Sequence, residues 1–410
     1  MGLAARLDLY KQVEARRNRP LIVYVTSNRQ NGNGQIAADS VPELLDQLQR
    51  LPKGVKELDL MVVSDGGDPT VAWRMVSLIR QRAAKFSALI PQAAYSAATL
   101  IVLGADEVVM HPNGNLGPTD PQIRVPRRSG KDGATEFVGF GSEDLMAFLR
   151  FSREQVGLTD PQQLMAVFLK FCDEATAIGV GVSARSALLS VTLGEKLLQL
   201  HMKGDGASQK ARQISEKLTK DYFHHGYPVN RSEAKDIGLK VADPDEDLED
   251  LMWRIWTDLS EELRLREPHN PLRVLAENPA CQALFAPVPI VQLPANLPPA
   301  LAQQAHQQVL AQITVAEVPP APFEIIHAVV ESTRHASRFV TNGLVVGTKT
   351  ADHQIRMSTL NVRQLWTNVP SEPQAQQAAQ KVPAPVLTRK AAAKLPQKAK
   401  KAKKPAKSTV

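Results

Sequence analysis

Short apolar runs alternate with amphipathic stretches through the first 110 residues. Leu21–Thr26 (LIVYVT), Leu58–Val63 (LDLMVV), Lys85–Ile90 and Glu107–Met110 have the length and β-branched content of strands buried on both faces. Between them, Leu7–Arg17, Ser40–Leu51 and Pro69–Arg82 repeat their apolar positions every three to four residues, the helical period, and Pro20 ends the first of these. Ala97 to Ala105 is short and rich in Ala and Leu, which predicts a buried helix. Strands alternating with helices at this spacing predict an α/β fold with a mainly parallel sheet layered by helices.

Downstream the pattern changes. Arg124–Gly141 is charged and Gly-rich and reads as a mobile surface loop, and Glu143 to Phe223 reads as helices broken near Asp160 and Gly179. Ser232–Val241 predicts a helix stopped at Gly238 and a short strand; Leu248–Leu263 predicts a helix with Trp253 and Trp256 on its core side. Eight prolines fall between Pro287 and Pro322, around a Gln/Ala helix at Ala300–Ile313. Residues 323–369 are β-rich, with hairpin turns expected at Asn342-Gly343 and Asp352. Beyond Pro370 large apolar residues are too few to build a core, so a disordered tail is expected. The division that follows is a body at 1–256, a Pro-rich helical arm at 257–322, a small β module at 323–369 and the tail at 370–410.

Charge sharpens this division. The net charge is +7, but ten of the 49 basic residues lie between Pro373 and Val410, leaving 39 against 42 acidic residues elsewhere. The body is therefore mildly acidic. Arg389–Lys407 carries nine basic residues and no aromatic. That composition suits weak, non-specific nucleic-acid contact through phosphates, or simply a solvated terminus. Two cysteines, Cys172 and Cys281, make no disulfide framework or metal cluster, so a cytoplasmic setting is expected. No apolar run of about 18 residues is read, so no membrane span is expected.

The chemistry-bearing stretches lie in the body. Ser96 stands where Lys85–Ile90 gives way, through small residues, to the helix from Ala97. At such a corner the helix N–H groups are unpaired and favour developing negative charge, so the hydroxyl is placed either to cap the helix or to act as a nucleophile. Upstream, VSDGGDP at Val63–Pro69 sets two glycines directly after a strand, where backbone N–H groups can hold a carbonyl oxygen.

Together with Gly104-Ala105-Asp106-Glu107, Leu116–Gln122, His225–Val229 and Glu233–Leu239, these stretches resemble the Clp-protease/crotonase superfamily. Within it the chain is most similar to the signal peptide peptidase A-like branch called the serine dehydrogenase proteinase family, over roughly the first 250 residues. The resemblance implies a ClpP/crotonase-like fold, a peptidase acting on polypeptides without cofactor or metal, and assembly as a ring or stacked homo-oligomer. It implies Ser96 as nucleophile, with the amides of Gly66 or Gly67 and of Ala97 as oxyanion hole. Two departures stand out: Asp65 where relatives have Pro, and Ala97-Ala98 where a Gly commonly follows the serine. The general base stays open. Asp120 stands where a Clp-type histidine is expected and His225 near the place of the Clp aspartate, which suggests Ser96, His225 and Asp120 with two roles exchanged. Lys131 and Lys170 are the lysine alternatives, and His111 reads as structural. The Gly179–Ala184 stretch lacks the preceding strand of a dinucleotide loop. The rivals to a peptidase are an inactive scaffold on the same fold, with the tail recruiting nucleic acid, and acyl-CoA chemistry.

Overall fold

The buried runs become the strands of one sheet. In chain order the first elements are α1 (Leu3–Arg17), β1 (Leu21–Thr26), α2 (Ser40–Gln49), β2 (Glu57–Val63), α3 (Pro69–Arg82), β3 (Lys85–Ile90), β4 (Ala93–Ala94), α4 (Ala97–Leu103), β5 (Glu107–Met110) and β6 (Asn115–Leu116). In this computed structural model residues 2–128, 135–286, 298–312, 316–350 and 354–370 are described. The basic tail, Lys131 and Asp352 lie outside them.

Alternation along the strands builds three layers. Ile22, Tyr24, Leu58, Leu60, Val62, Phe86 and Ile90 face one side, where α2, α3 and α4 cover them. Leu21, Val23, Val25, Met61, Val63 and Leu89 face the other, against Leu9, Tyr10 and Val13 of α1 and a later helix, α10. Strands β1, β2, β3 and β5 pair parallel in that spatial order.

The middle of the chain supplies β7 (Ile123–Arg128), β8 (Thr135–Phe140), α5 (Ser142–Glu154), α6 (Pro161–Ala175), α7 (Ala177–Gln199) and α8 (Ala207–Lys220). The expected loop at 124–141 is instead an antiparallel β7–β8 pair, with Val125 and Phe140 buried beside Ala175. Asp160 does break the helices, its carboxylate capping α6; the next break falls at Thr176, while Gly179 lies inside α7. α7, 23 residues long, contains an 18-residue window with a mean hydropathy of 1.4, and is long and apolar enough to cross a membrane by length and composition. Interspersed Gly, Ser and Thr hid this from a search for uninterrupted apolar runs.

Next come α9 (Arg231–Asp236), β9 (Val241–Ala242), α10 (Glu246–Glu262), α11 (Pro271–Glu277), α12 (Pro299–Gln312), β10 (Ala316–Glu317), β11 (Ala321–Glu331), β12 (Ala336–Lys349) and β13 (Ile355–Asn368). Here the structure departs from the expected division. Residues 323–369 do not stand apart: β11 pairs antiparallel with β1, setting Val329 opposite Val25, and extends the same sheet through β12 to β13. The sheet is thus parallel on one side of β1 and antiparallel on the other. Asn342-Gly343 is no turn; it lies within β12 at a β-bulge. The arm likewise packs down, Leu275, Cys281 and Leu284 meeting Val345 of β12. Trp253 is 41% exposed and stacks on His111, so only Trp256 faces the core as expected.

The junction of first and last thirds is locked by charge. Arg6 of α1 is fully buried; its guanidinium donates to both Glu331 oxygens at 3.1 and 3.0 Å and also meets Asp258 of α10. Tyr10 Oη donates to Glu331 at 2.8 Å. Burial alone lowers an arginine pKa, but the carboxylates outweigh it and hold Arg6 firmly charged.

Replacing Arg6 with Met should leave buried Glu331 without its cation and cost about 3–5 kcal/mol, read from the guanidinium unfolding midpoint. Arg16→Met, which removes only exposed pairs to Asp245 and Asp247, should leave the midpoint unchanged.

Candidate active site

Two turns at the C-terminal ends of β2 and β3 are stitched together by backbone bonds. Ser64 N–H donates to Ala93 O and Tyr95 N–H donates to Ser64 O, both at 2.9 Å. This two-way clamp brings Gly66, two residues past Ser64, against Ser96, the residue after Tyr95. Gly66 (φ 110°) comes so close that a Cβ placed on it would lie 2.6 Å from Ser96 Cβ and 2.9 Å from Tyr95 O. Gly67 (φ 151°) lies as tightly against Ile36, where a Cβ would meet the carbonyl oxygen at 2.2 Å. Both glycines are therefore required by space as well as by conformation.

Ser96 occupies the N-cap of α4 at φ 54°, ψ −117°, with no side-chain cap hydrogen bond. A non-glycine residue held there stores on the order of 1–3 kcal/mol of strain. The hydroxyl is thus present at the helix start without doing the usual job of a capping serine.

Ser96, Gly66, Gly67, Ala97, Asp65 and His225 line one cavity of about 540 Å³. The two glycine amides differ. Gly66 N–H donates to the buried Ser64 Oγ at 3.0 Å, and that hydroxyl is fixed in turn by Thr26 Oγ1 at 2.7 Å. Gly66 is therefore unavailable as a donor, contrary to its inclusion above, and acts as a spacer. Gly67 N–H and Ala97 N–H have no acceptor among the described residues.

His225 meets Asp120 through a short antiparallel contact. Leu116 and Val229 exchange backbone hydrogen bonds, both at 2.9 Å. Four residues onward from one and four back from the other, Asp120 Oδ1 and His225 Nδ1 lie 2.8 Å apart. Gln122 Nε2 donates to the other carboxylate oxygen, also at 2.8 Å. An ionised carboxylate only accepts, so Nδ1 carries the proton and Nε2 is left as the basic nitrogen. The Asp120 hydrogen bond raises the His225 pKa, outweighing the opposing effect of burial. No hydrogen bond links Ser96 Oγ to this ring; the two share the cavity.

The other candidates lie elsewhere. Lys170 is exposed and pairs with Asp173, and His111 Nδ1 accepts from Asn113 N–H while its ring stacks on Trp253. Sequence reasoning quoted Gln122 within a matching stretch without giving it a role; its spacing of two from Asp120 was the available signal. Ser64 was equally overlooked, since a buried serine beside a Gly-Gly turn reads as filler.

Comparison with known proteins bears on the same region. Residues 2–129 match the family of ClpP-like SDH-type serine proteinases, the family read from the sequence. An uncharacterized protein of Methanocaldococcus jannaschii is 26% identical over 245 residues, covering 58% of this chain and 73% of its own length. A second uncharacterized protein of that organism is 27% identical over 207 residues, covering 50% and 59%. Among solved structures, a membrane-bound stomatin-specific protease (S97A mutant) covers 57% of this chain and 84% of its own, at 15% identity and TM-score 0.32. An enoyl-CoA hydratase from Streptomyces coelicolor A3(2) covers 68% and 81%, at 17% identity and TM-score 0.25.

Two measurements check this geometry. In an NMR titration the His225 ring should ionise above the ordinary histidine range, and Asp120→Asn should bring it down, because the anion that favours the protonated ring is gone. Gly66→Ala should lower the melting temperature and displace the Ser96 corner. Gly181→Ala, in helix α7 with nothing within 4 Å, should be neutral or stabilise by up to about 1 kcal/mol.

Proposed function

We propose that this protein is a serine peptidase that cleaves polypeptides through an acyl-enzyme on Ser96. The observation that carries the reading is the contact between the Ser96 corner and the Gly66-Gly67 turn, which sets a strained, uncapped hydroxyl beside two free N–H groups. Ser96 Oγ attacks the scissile carbonyl carbon while His225 Nε2 takes its proton. Asp120 holds the ring through Nδ1–H and stabilises the imidazolium. Gly67 and Ala97 N–H groups receive the oxyanion. The C–N bond then breaks, His225 returns the proton to the departing amine, and a water activated by the same nitrogen releases the acid and restores the serine. Gln122 keeps the second Asp120 oxygen occupied and so fixes the carboxylate.

The scaffold reading draws on Asp65, whose carboxyl lines the cavity near the place where negative charge develops. Burial raises its pKa and favours the neutral form, which lessens the conflict.

A fluorophosphonate probe should label the wild type and not Ser96→Ala; equal labelling of both, or of neither, removes the hydrolase reading. His225→Ala should lower kcat by roughly 10²–10⁴-fold with the fold intact. The base must be unprotonated, so kcat/KM should fall as pH drops through the raised His225 pKa, and Asp120→Asn should move that acid limb to lower pH. An unmoved limb would assign the base to another group.

A further inference from the structure

The cavity that holds Ser96 carries one charge that the proposed reaction does not use. Among the described residues its ionisable wall groups are Asp65 and His225, and no lysine or arginine joins them. His225 is tied to Asp120, so with the ring in its basic form the site holds two carboxylates and no lining cation. A cleft of one sign of charge between low-dielectric walls concentrates ligands of the opposite sign.

Asp65 immediately precedes Gly66, which abuts Ser96, so its carboxylate stands one residue from the reacting corner. Its charge also reaches Tyr95, the residue before Ser96, where it adds to burial in raising the phenol pKa. The side chain is open to solvent in the cavity and has no hydrogen-bond or ion-pair partner among the described residues. The surrounding protein still raises its pKa, with burial as the cause and no positive group to offset it. A cation entering the cavity supplies that offset. Pro69, Leu100, Ile123 and Leu189 of the same wall are apolar and suit the methylene stem of a lysine or arginine.

We propose, resting on the peptidase reading, that Asp65 is a specificity-determining residue. It selects polypeptides that carry a cation, a lysine or arginine side chain or a free terminal ammonium, beside the cleaved bond. The bound cation also neutralises Asp65 while negative charge gathers at the Gly67 and Ala97 N–H groups. The substrate itself thus removes the conflict that a carboxylate creates at this position.

The test is cleavage of a random peptide library by the full chain, half of the library N-acetylated, with the sites read by mass spectrometry and fluorophosphonate labelling of Ser96 run alongside. Lysine or arginine enriched beside the cleaved bond in both halves assigns the cation to a side chain. Cleavage confined to sites near the termini of the unacetylated half assigns it to the ammonium. A matched pair of peptides, one with that cation and one with its neutral counterpart (citrulline for arginine, an acetylated for a free terminus), should then differ about 10–100-fold in kcat/KM. Asp65→Asn should abolish that preference, and Asp65→Glu, which keeps the charge, should preserve most of it. The ratio is read within each variant, so a change in overall rate does not disturb it. Labelling kept while the sites are indifferent to cations, or a ratio unchanged in Asp65→Asn, overturns this proposal alone. No labelling, or no cleavage, removes the peptidase reading and this proposal with it.

Discussion

The site depends on one steric constraint: the backbone at Gly66 lies against Ser96 Cβ and the Tyr95 carbonyl with no room for a single added carbon. Two hydrogen bonds through Ser64 hold that approach, and a third, from Thr26, holds Ser64. Because the turn and the corner sit at the ends of adjacent parallel strands, their separation is set by the sheet rather than by loop flexibility. The left-handed conformation at Ser96 persists because buried neighbours over-determine it. Strain, glycine spacing and free N–H groups are three faces of one arrangement.

The His225–Asp120 pair is positioned by an independent device. A single antiparallel bridge, Leu116 to Val229, fixes the register, and everything between those residues, including β7, β8 and α5 to α8, is an excursion that leaves the sheet and returns. The pair therefore does not need that excursion to be rigid. α7 forms part of the cavity wall through Ser186, Leu189 and Ser190, while Ile178 and Leu188 of the same helix remain exposed. Imidazole and hydroxyl belong to separately anchored segments, which is consistent with their sharing a cavity without a direct hydrogen bond.

Much of this was legible in the sequence. The runs at Leu21–Thr26 and Lys85–Ile90 and the helix at Pro69–Arg82 are strands and helix with those very bounds, because burial on both faces leaves an unbroken apolar signature. The Gly-Gly turn and the serine corner could be placed because small residues after a buried strand mark close approach. Pairing over long range left no such mark. β11 carries nothing local to say that its partner is β1, so residues 323–369 read as a module of their own. Asn342-Gly343 has turn composition yet serves as a bulge, since cross-strand packing overrode local preference. That Gly66 spends its amide on Ser64 follows from a three-dimensional contact which spacing cannot express.

The antiparallel addition of β11 to β1 has a consequence for how the chain is made. β1 emerges early in synthesis, but the strand that covers its open edge follows roughly 300 residues later, about 15–60 s at ordinary elongation rates. Until then the nascent parallel sheet presents bare N–H and C=O groups, a template for wrong pairing. The buried carboxylate of Glu331 arrives on that same strand and completes the set of carboxylates around Arg6, which Asp258 and Glu262 of α10 have already met. Closure of the edge and completion of the buried charge cluster are thus a single late event, and a nascent chain halted before it would be the aggregation-prone species.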